Sequence, residues 1–131
     1  LSGISDHCLA VSKDGRVFGC GLNEDGQLGL GEETKSVSSF TEISSLVGIE
    51  IRAAYAGWNH SLFETFEGEI FSCGCNCYGQ LLINNVSNTK VYSPTKTAIT
   101  HDASFCIAGS GLSIVFTGGD PPPNTPNMRI Q

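Results

Sequence analysis

The chain has 131 residues, 40% of them hydrophobic and only 15% charged, with a formal net charge of −6 and 16 glycines. That is enough apolar content for one ordinary core, and no apolar run approaches the roughly 20 residues of a membrane-spanning helix. The seven Lys and Arg residues are scattered without an adjacent pair. Direct grip on a phosphate backbone, which needs a basic patch, is therefore not expected of this chain.

Leu1 to Val11 has neither the basic start nor the apolar run of a secretory signal. With six cysteines and no such signal, the thiols are read as reduced, and the protein as intracellular, with cytoplasm and nucleus not distinguished. Cys8 to Ser12 is a short, mostly apolar run; Lys13-Asp14-Gly15 is a turn; Arg16 to Cys20 is a second run. Asp-Gly between two such runs predicts a hairpin. Gly21 is expected to end the strand, and Asn23 to Gly26 to form a further turn.

The same segment returns 53 residues later. His7 to Gly31 aligns without a gap on His60 to Asn84, and ten of the 25 positions are identical. Chance would give roughly one or two matches. The identities include His7/His60, Gly15/Gly68, Gly21/Gly74, Asn23/Asn76, Gly26/Gly79 and Gln27/Gln80. These twelve residues are read as a structural signature of the repeat. The second copy thus repeats the hairpin as Leu62 to Thr65, Phe66-Glu67-Gly68 and Glu69 to Cys73, and Asn76 to Gly79 repeats the further turn. Weaker strand candidates are Ser39 to Ile43, Glu50 to Tyr55 and Val91 to Ala98. A third, partial copy, CIAGSGLSIVFT at Cys106 to Thr117, follows AYAGWNHSLFET at Ala54 to Thr65, with Leu112 in place of the histidine. Asp120 to Gln131 is a proline-rich tail, expected to be extended and outside any sheet.

About four strands recur per ~52 residues, and no segment has a helical period. The fold class is therefore all-β: propeller blades of four-stranded antiparallel sheets, about two and a half repeats, an incomplete propeller. Repeats are set at about 5–57 and 58–109 with a partial one at 110–119, so that residues 1–119 are propeller and 120–131 the tail.

The run GLNEDGQLGLG, Gly21 to Gly31, together with the upstream histidine and hairpin, resembles the regulator of chromosome condensation repeat. The resemblance implies a seven-bladed propeller, which at this period needs roughly 360 residues. This chain supplies far fewer, so a fragment is preferred over a unit that closes by self-association. Cys20 and Cys73 stand where many family members carry tryptophan, and Leu82 replaces a motif glycine.

Each chemically suggestive group has a plainer reading. His7 and His60 follow Asp6 and Asn59, but a histidine recurring with the repeat is expected to be structural, bonding a backbone carbonyl at a turn. His101, beside Asp102, is read as solvated. Cys73, Cys75 and Cys77 alternate as CGCNC without the second pair a zinc site needs, so structural thiols are favoured over metal or redox roles. Gly15, Gly19 and Gly21, and Gly109 to Gly111, lack the helix N-terminus of a phosphate cradle. Trp58 is either an interface anchor or a cover for a blade end. The segments Glu32 to Phe40 and Asn84 to Tyr92 are the loops expected to bind.

The sequence therefore reads as a non-catalytic protein-interaction scaffold and not an enzyme, with no cofactor and no metal. Its expected partner is a protein. The alternative, implied by the resemblance, is guanine-nucleotide exchange on a small GTPase of the Ran type. Exchange would work by differential affinity for the nucleotide-free GTPase.

Overall fold

The computed structural model describes residues 6–84, 89–99, 103–109 and 113–117. Nine strands form three antiparallel sheets in chain order. The first holds β1 (His7–Val11), β2 (Val17–Leu22) and β3 (Ser36–Glu42). The second holds β4 (Ile51–Ala56), β5 (His60–Thr65), β6 (Ile70–Cys75) and β7 (Lys90–Lys96). The third holds β8 (Ala103–Ala108) and β9 (Ser113–Thr117). A 3-10 turn, Ser44–Leu46, interrupts the connection between the first two sheets, and no α-helix occurs among the described residues.

The repeat is visible in the register. His7 pairs with Gly21 and His60 with Gly74; Val11 pairs with Val17 and Glu64 with Ile70. The hairpins close alike, with Gly15 N–H bonding Ser12 O at 3.0 Å and Gly68 N–H bonding Thr65 O at 3.1 Å. Both glycines sit in the left-handed region, at φ 83° and 82°, which explains why this turn keeps glycine.

Gly21 and Gly74 do not end their strands. Each lies inside one, at φ 108° and 112°, beside a register shift between Gly19 and Gly21 or between Ser72 and Gly74. These bulges bend the strand and let its neighbour approach closely: a Cβ on Gly21 would lie 2.4 Å from Asp6 O, and one on Gly74 2.4 Å from Asn59 O. The two long segments expected to be loops are also partly strand. Glu32 to Phe40 enters β3 at Ser36, and Asn84 to Tyr92 enters β7 at Lys90, with 85–88 outside the described residues. The strand candidates Ser39 to Ile43 and Val91 to Ala98 thus fall on β3 and β7, and only the polar first residues of these outer-edge strands read as loop.

Burial falls from the inside of the second sheet outward. Every residue of β5 is buried, whereas β7 is largely exposed. Leu62 and Phe63, adjacent on β5, point to opposite faces and are both fully buried. Phe63 joins Leu9, Val17, Leu28, Ile43 and Ile51 in a core between the first and second sheets. Leu62 joins Ala53, Tyr55, Ile70, Cys106 and Ala108 in a core between the second and third. A stack of face-packed four-stranded units is the layout of propeller blades.

The sequence repeat and the sheet are out of phase by one strand. A repeat counted from its histidine runs through β1, β2, β3 and then β4, yet β4 pairs with β5 in the next sheet. Each repeat therefore spans a sheet boundary and ties neighbouring blades together covalently. The tail, 120–131, lies outside the described residues.

Candidate functional site

The signature amides, Asn23, Gln27, Asn76 and Gln80, are buried and bond backbone groups. Asn23 is fully buried; its Oδ1 accepts Leu28 N–H at 2.8 Å, and its Nδ2 donates to Gly31 O at 3.0 Å and Thr34 O at 2.7 Å. Asn76 Oδ1 likewise accepts Leu81 N–H at 3.1 Å. Gln27 Oε1 accepts Asp25 N–H at 2.9 Å, and Gln80 Oε1 accepts Tyr78 N–H at 2.9 Å. Asparagine and glutamine do this because one short amide can satisfy loop donors and acceptors that have no ladder partner. The first of these loops seats on the next blade. Gly31 N–H bonds Tyr92 O at 3.0 Å, Lys90 pairs with Asp25 at 2.9 Å, and a Cβ on Gly26 would stand 2.4 Å from Val91 O.

Gly79 and its counterpart differ in their surroundings among the described residues. Its counterpart Gly26 is buried against β7, but Gly79 is exposed, and a Cβ built on it would meet nothing within 4 Å. Gly26 faces β7 of the second sheet. Gly79 shares the turn: its φ of 73° and its N–H bond to Asn76 O at 3.1 Å close it as Gly26 does, at φ 84° and 3.0 Å to Asn23 O.

The histidines also reach across blades. His7 Nε2 lies 2.8 Å from Ser61 Oγ, and His60 Nε2 lies 2.9 Å from Ser113 Oγ. The expected turn carbonyl is thus replaced, for the ring Nε2, by a hydroxyl on the following sheet. The serine is the residue after the histidine position, in the next blade each time. Ser61 Oγ in turn donates to Gln27 O at 2.5 Å, which joins the histidine bridge to the signature loop. Burial first, and the charge of His60 second, pull His7 from 6.5 down to about 4. Burial pulls His60 from 6.5 down to about 4 as well. Both rings are neutral near pH 7, where the neutral imidazole avoids the cost of a buried charge. A Ser–His pair can activate a nucleophile, but Ser61 is fully buried and its hydroxyl proton is committed to Gln27, so this pair has no substrate access.

Trp58 is 57% exposed on the β4–β5 loop, while its backbone N–H is held by Gly109 O at 3.1 Å. The β6–β7 connection leaves the same end of the sheet, because strands alternate direction, and it carries Tyr78, 81% exposed. Leu22, at the end of β2, is exposed at the corresponding end of the first sheet. Glu24, Glu32 and Glu33 lie on the adjoining loop, so this end is apolar and acidic together. At the opposite end, a groove of about 450 Å³ lies among Ile49, Glu50, Phe66, Glu67, Glu69 and Phe71.

Sequence reasoning missed one buried ionic cluster. Glu64 is fully buried; its carboxylate accepts from Tyr55 Oη at 2.8 Å and pairs with Arg52. The available signal was the mismatch at the aligned position, where the first copy has Val11. The cysteines divide. Cys73 is buried, with its thiol pushed up by desolvation, whereas Cys75 is half-buried and Cys77 exposed. Among the described residues, no three His, Cys, Asp or Glu side chains converge as a metal site, and no helix is long and apolar enough to cross a membrane. His101 lies outside the described residues.

Face-packed antiparallel sheets, joined by an out-of-phase repeat, define a partial β-propeller. The regulator of chromosome condensation (RCC1) repeat matches residues 14–63, and a second form of that repeat matches residues 51–80. The chain is a partial RCC1-repeat protein. It is 43% identical over 81 residues to the secretion-regulating guanine nucleotide exchange factor of Bos taurus, covering 62% of this chain and 17% of that protein. It is 34% identical over 111 residues to the probable E3 ubiquitin-protein ligase HERC3 of Homo sapiens, covering 85% of this chain and 11% of that protein. Among solved structures it is similar to human WBSCR16, with a TM-score of 0.78 and 27% identity, over 86% of this chain and 29% of the other. It is also similar to yeast RCC1 (Prp20) bound to Kap60, with a TM-score of 0.73 and 27% identity, over 86% and 28% of the two chains.

These relatives overturn the expectation that the protein is not an enzyme, since they include an exchange factor and a probable ubiquitin ligase. The inference failed for a physical reason. A repeat region devoted to its own backbone shows nothing about chemistry carried elsewhere in proteins of which it matches 17% or 11%.

Proposed function

We propose that the propeller acts as a protein-interaction scaffold, engaging its partner with the loop end that carries Trp58 and Tyr78. The observation that supports this is the contrast between their exposed rings and the buried, self-satisfied polar signature around them. Tryptophan and tyrosine supply large contact area at low entropic cost, and they dominate hot spots. The Trp58 backbone is already fixed by Gly109, so little ordering is lost on binding. Acidic neighbours favour a partner with a basic, apolar patch.

A second reading is favoured by the 43% identity to an exchange factor: the partner is a small GTPase of the Ran type, and binding releases its nucleotide. The solved yeast relative Prp20p is described by its binding to Gsp1p and histones, which are protein partners. One titration tests both readings. A Ran-type GTPase carrying fluorescent GDP is mixed with the chain and with its Trp58→Ala/Tyr78→Ala variant. Release accelerated by the chain and lost in the variant supports exchange. Binding without release, again lost in the variant, supports the scaffold alone. Binding that survives the double substitution sinks the assignment of this loop end, and no binding in any nucleotide state removes the GTPase.

A further inference from the structure

Cys75 and Cys77 are departures that the repeat does not require. The equivalent positions of the first copy hold Leu22 and Glu24, around the same buried asparagine. Neither thiol belongs to a core cluster, yet their Sγ atoms lie 3.2 Å apart. A disulfide needs about 2.05 Å. The pair sits at a strand end, where β6 gives way to a loop. Cys77 is exposed and open to a reagent, while Cys75 stands directly behind it.

We propose that Cys75 and Cys77 form a reversible dithiol–disulfide site, oxidised by a small-molecule disulfide of the glutathione type. The Cys77 thiolate attacks one sulfur of glutathione disulfide, forming a mixed disulfide and expelling one glutathione thiolate. The Cys75 thiolate then attacks Cys77 Sγ, closing the ring and expelling the second. Two electrons pass from the protein dithiol to the glutathione disulfide, and the two protons released end on the two glutathiones. A ring closed across a single intervening residue is strained, which places the couple among labile, regulatory disulfides and not among structural ones. The neighbouring Cys75 sulfur holds the Cys77 thiol above its ordinary value, so the thiolate fraction, and with it the exchange rate, rises with pH. The intervening Asn76 closes the loop that carries Tyr78 through its bond to Leu81, so oxidation bears on the same loop end as the proposed interface.

The test is peptide mapping of the purified chain after equilibration in glutathione buffers of graded oxidised-to-reduced ratio, with free thiols trapped by alkylation. The expected product is the Cys75–Cys77 peptide lighter by two hydrogens, appearing at mixed ratios, reversed by dithiothreitol, and absent in Cys75→Ser, where Cys77 instead keeps a glutathione adduct. Cys73 stays reduced throughout as a buried comparison. Alkylation of both thiols at every ratio, or a glutathione adduct on Cys77 of the unmodified chain that never resolves, overturns the proposal. The mapping of the unmodified chain decides the matter even if the variant fails to fold.

Discussion

Acid should unfold this chain early, through its two bridging histidines. His7 and His60 titrate near 6.5 when unfolded and at about 4 in place. Their folded values are depressed, so protonation favours the unfolded chain, and stability is lost as pH falls from 6.5 toward 4. At pH 5 the unfolded imidazole is almost wholly protonated, while the buried one is still about nine-tenths neutral. The linkage is then about 2 kcal/mol per histidine, or about 4 kcal/mol for both. That is a large part of the 5–15 kcal/mol typical of a domain. The depressed carboxyls, Asp14 and Glu42, lose their contributions as pH falls below their ordinary values, under the pH 7 to 5 range of the assay. The assay is urea unfolding at pH 7, 6 and 5, followed by circular dichroism. The midpoint should fall steadily, and His7→Gln or His60→Gln should each remove about half of the slope at some cost in stability at pH 7. A midpoint unchanged between pH 7 and pH 5 would refute the buried, neutral bridge, as would an undiminished slope in the double variant.

Leu82 has φ 60° and is the sole positive-φ residue other than glycine among those described. Leu82→Gly should raise stability by about 0.5–1 kcal/mol, because left-handed backbone costs a branched side chain about 1–2 kcal/mol and glycine gives back part in entropy; a thermal melt that falls instead would contradict this. Asn23→Ala strands three backbone groups in a dry site and should cost about 3 kcal/mol in urea unfolding. Glu64→Ala leaves Arg52 and Tyr55 facing a hole between the second and third sheets. It should cost about 2–3 kcal/mol, below the full value for a buried pair because Arg52 is 32% exposed. Trp58→Ala should change the melt by under about 0.5 kcal/mol, since the ring packs largely against water.

The fold was legible because identities at a fixed 53-residue spacing require the same local geometry twice. Gly15 and Gly68 mark the same turn, and Asn23 and Asn76 the same closed loop, so pattern alone placed both hairpins and the strand before the second one. Identity of residue did not carry identity of packing, however. Gly26 and Gly79 share a turn, yet among the described residues a Cβ on Gly26 would meet Val91 O and one on Gly79 nothing within 4 Å. Edge strands were less legible too. Ser36–Glu42 bears little apolar alternation, because none of its side chains is fully buried on either face. The histidine bridges were not legible at all. Nothing near His7 in the chain names Ser61, 54 residues away, and only the stacking of sheets brings the two to 2.8 Å. The Glu64–Arg52–Tyr55 cluster left a trace in the sequence, a charge where the first copy has valine, but the trace could not say which cation would meet it.

The division between repeated and unrepeated positions carries the functional argument further than any motif does. The repeated polar side chains are buried and bonded: His7 and His60 across sheets, Asn23 and Asn76 to loop N–H groups, Gln27 and Gln80 to their own turns. A buried, satisfied group has nothing left with which to recognise a partner. The exposed side chains at the loop end are those on which the copies disagree. Tyr78 stands where the first copy has Asp25, Trp58 where it has Ser5, and Cys75 and Cys77 where it has Leu22 and Glu24. Because each repeat crosses a sheet boundary, a change at one loop tip leaves the bridges between blades intact. Substituting the buried shared positions should therefore lower stability without regard to partner. Substituting the differing ones should alter binding or redox behaviour in a chain that still melts cooperatively.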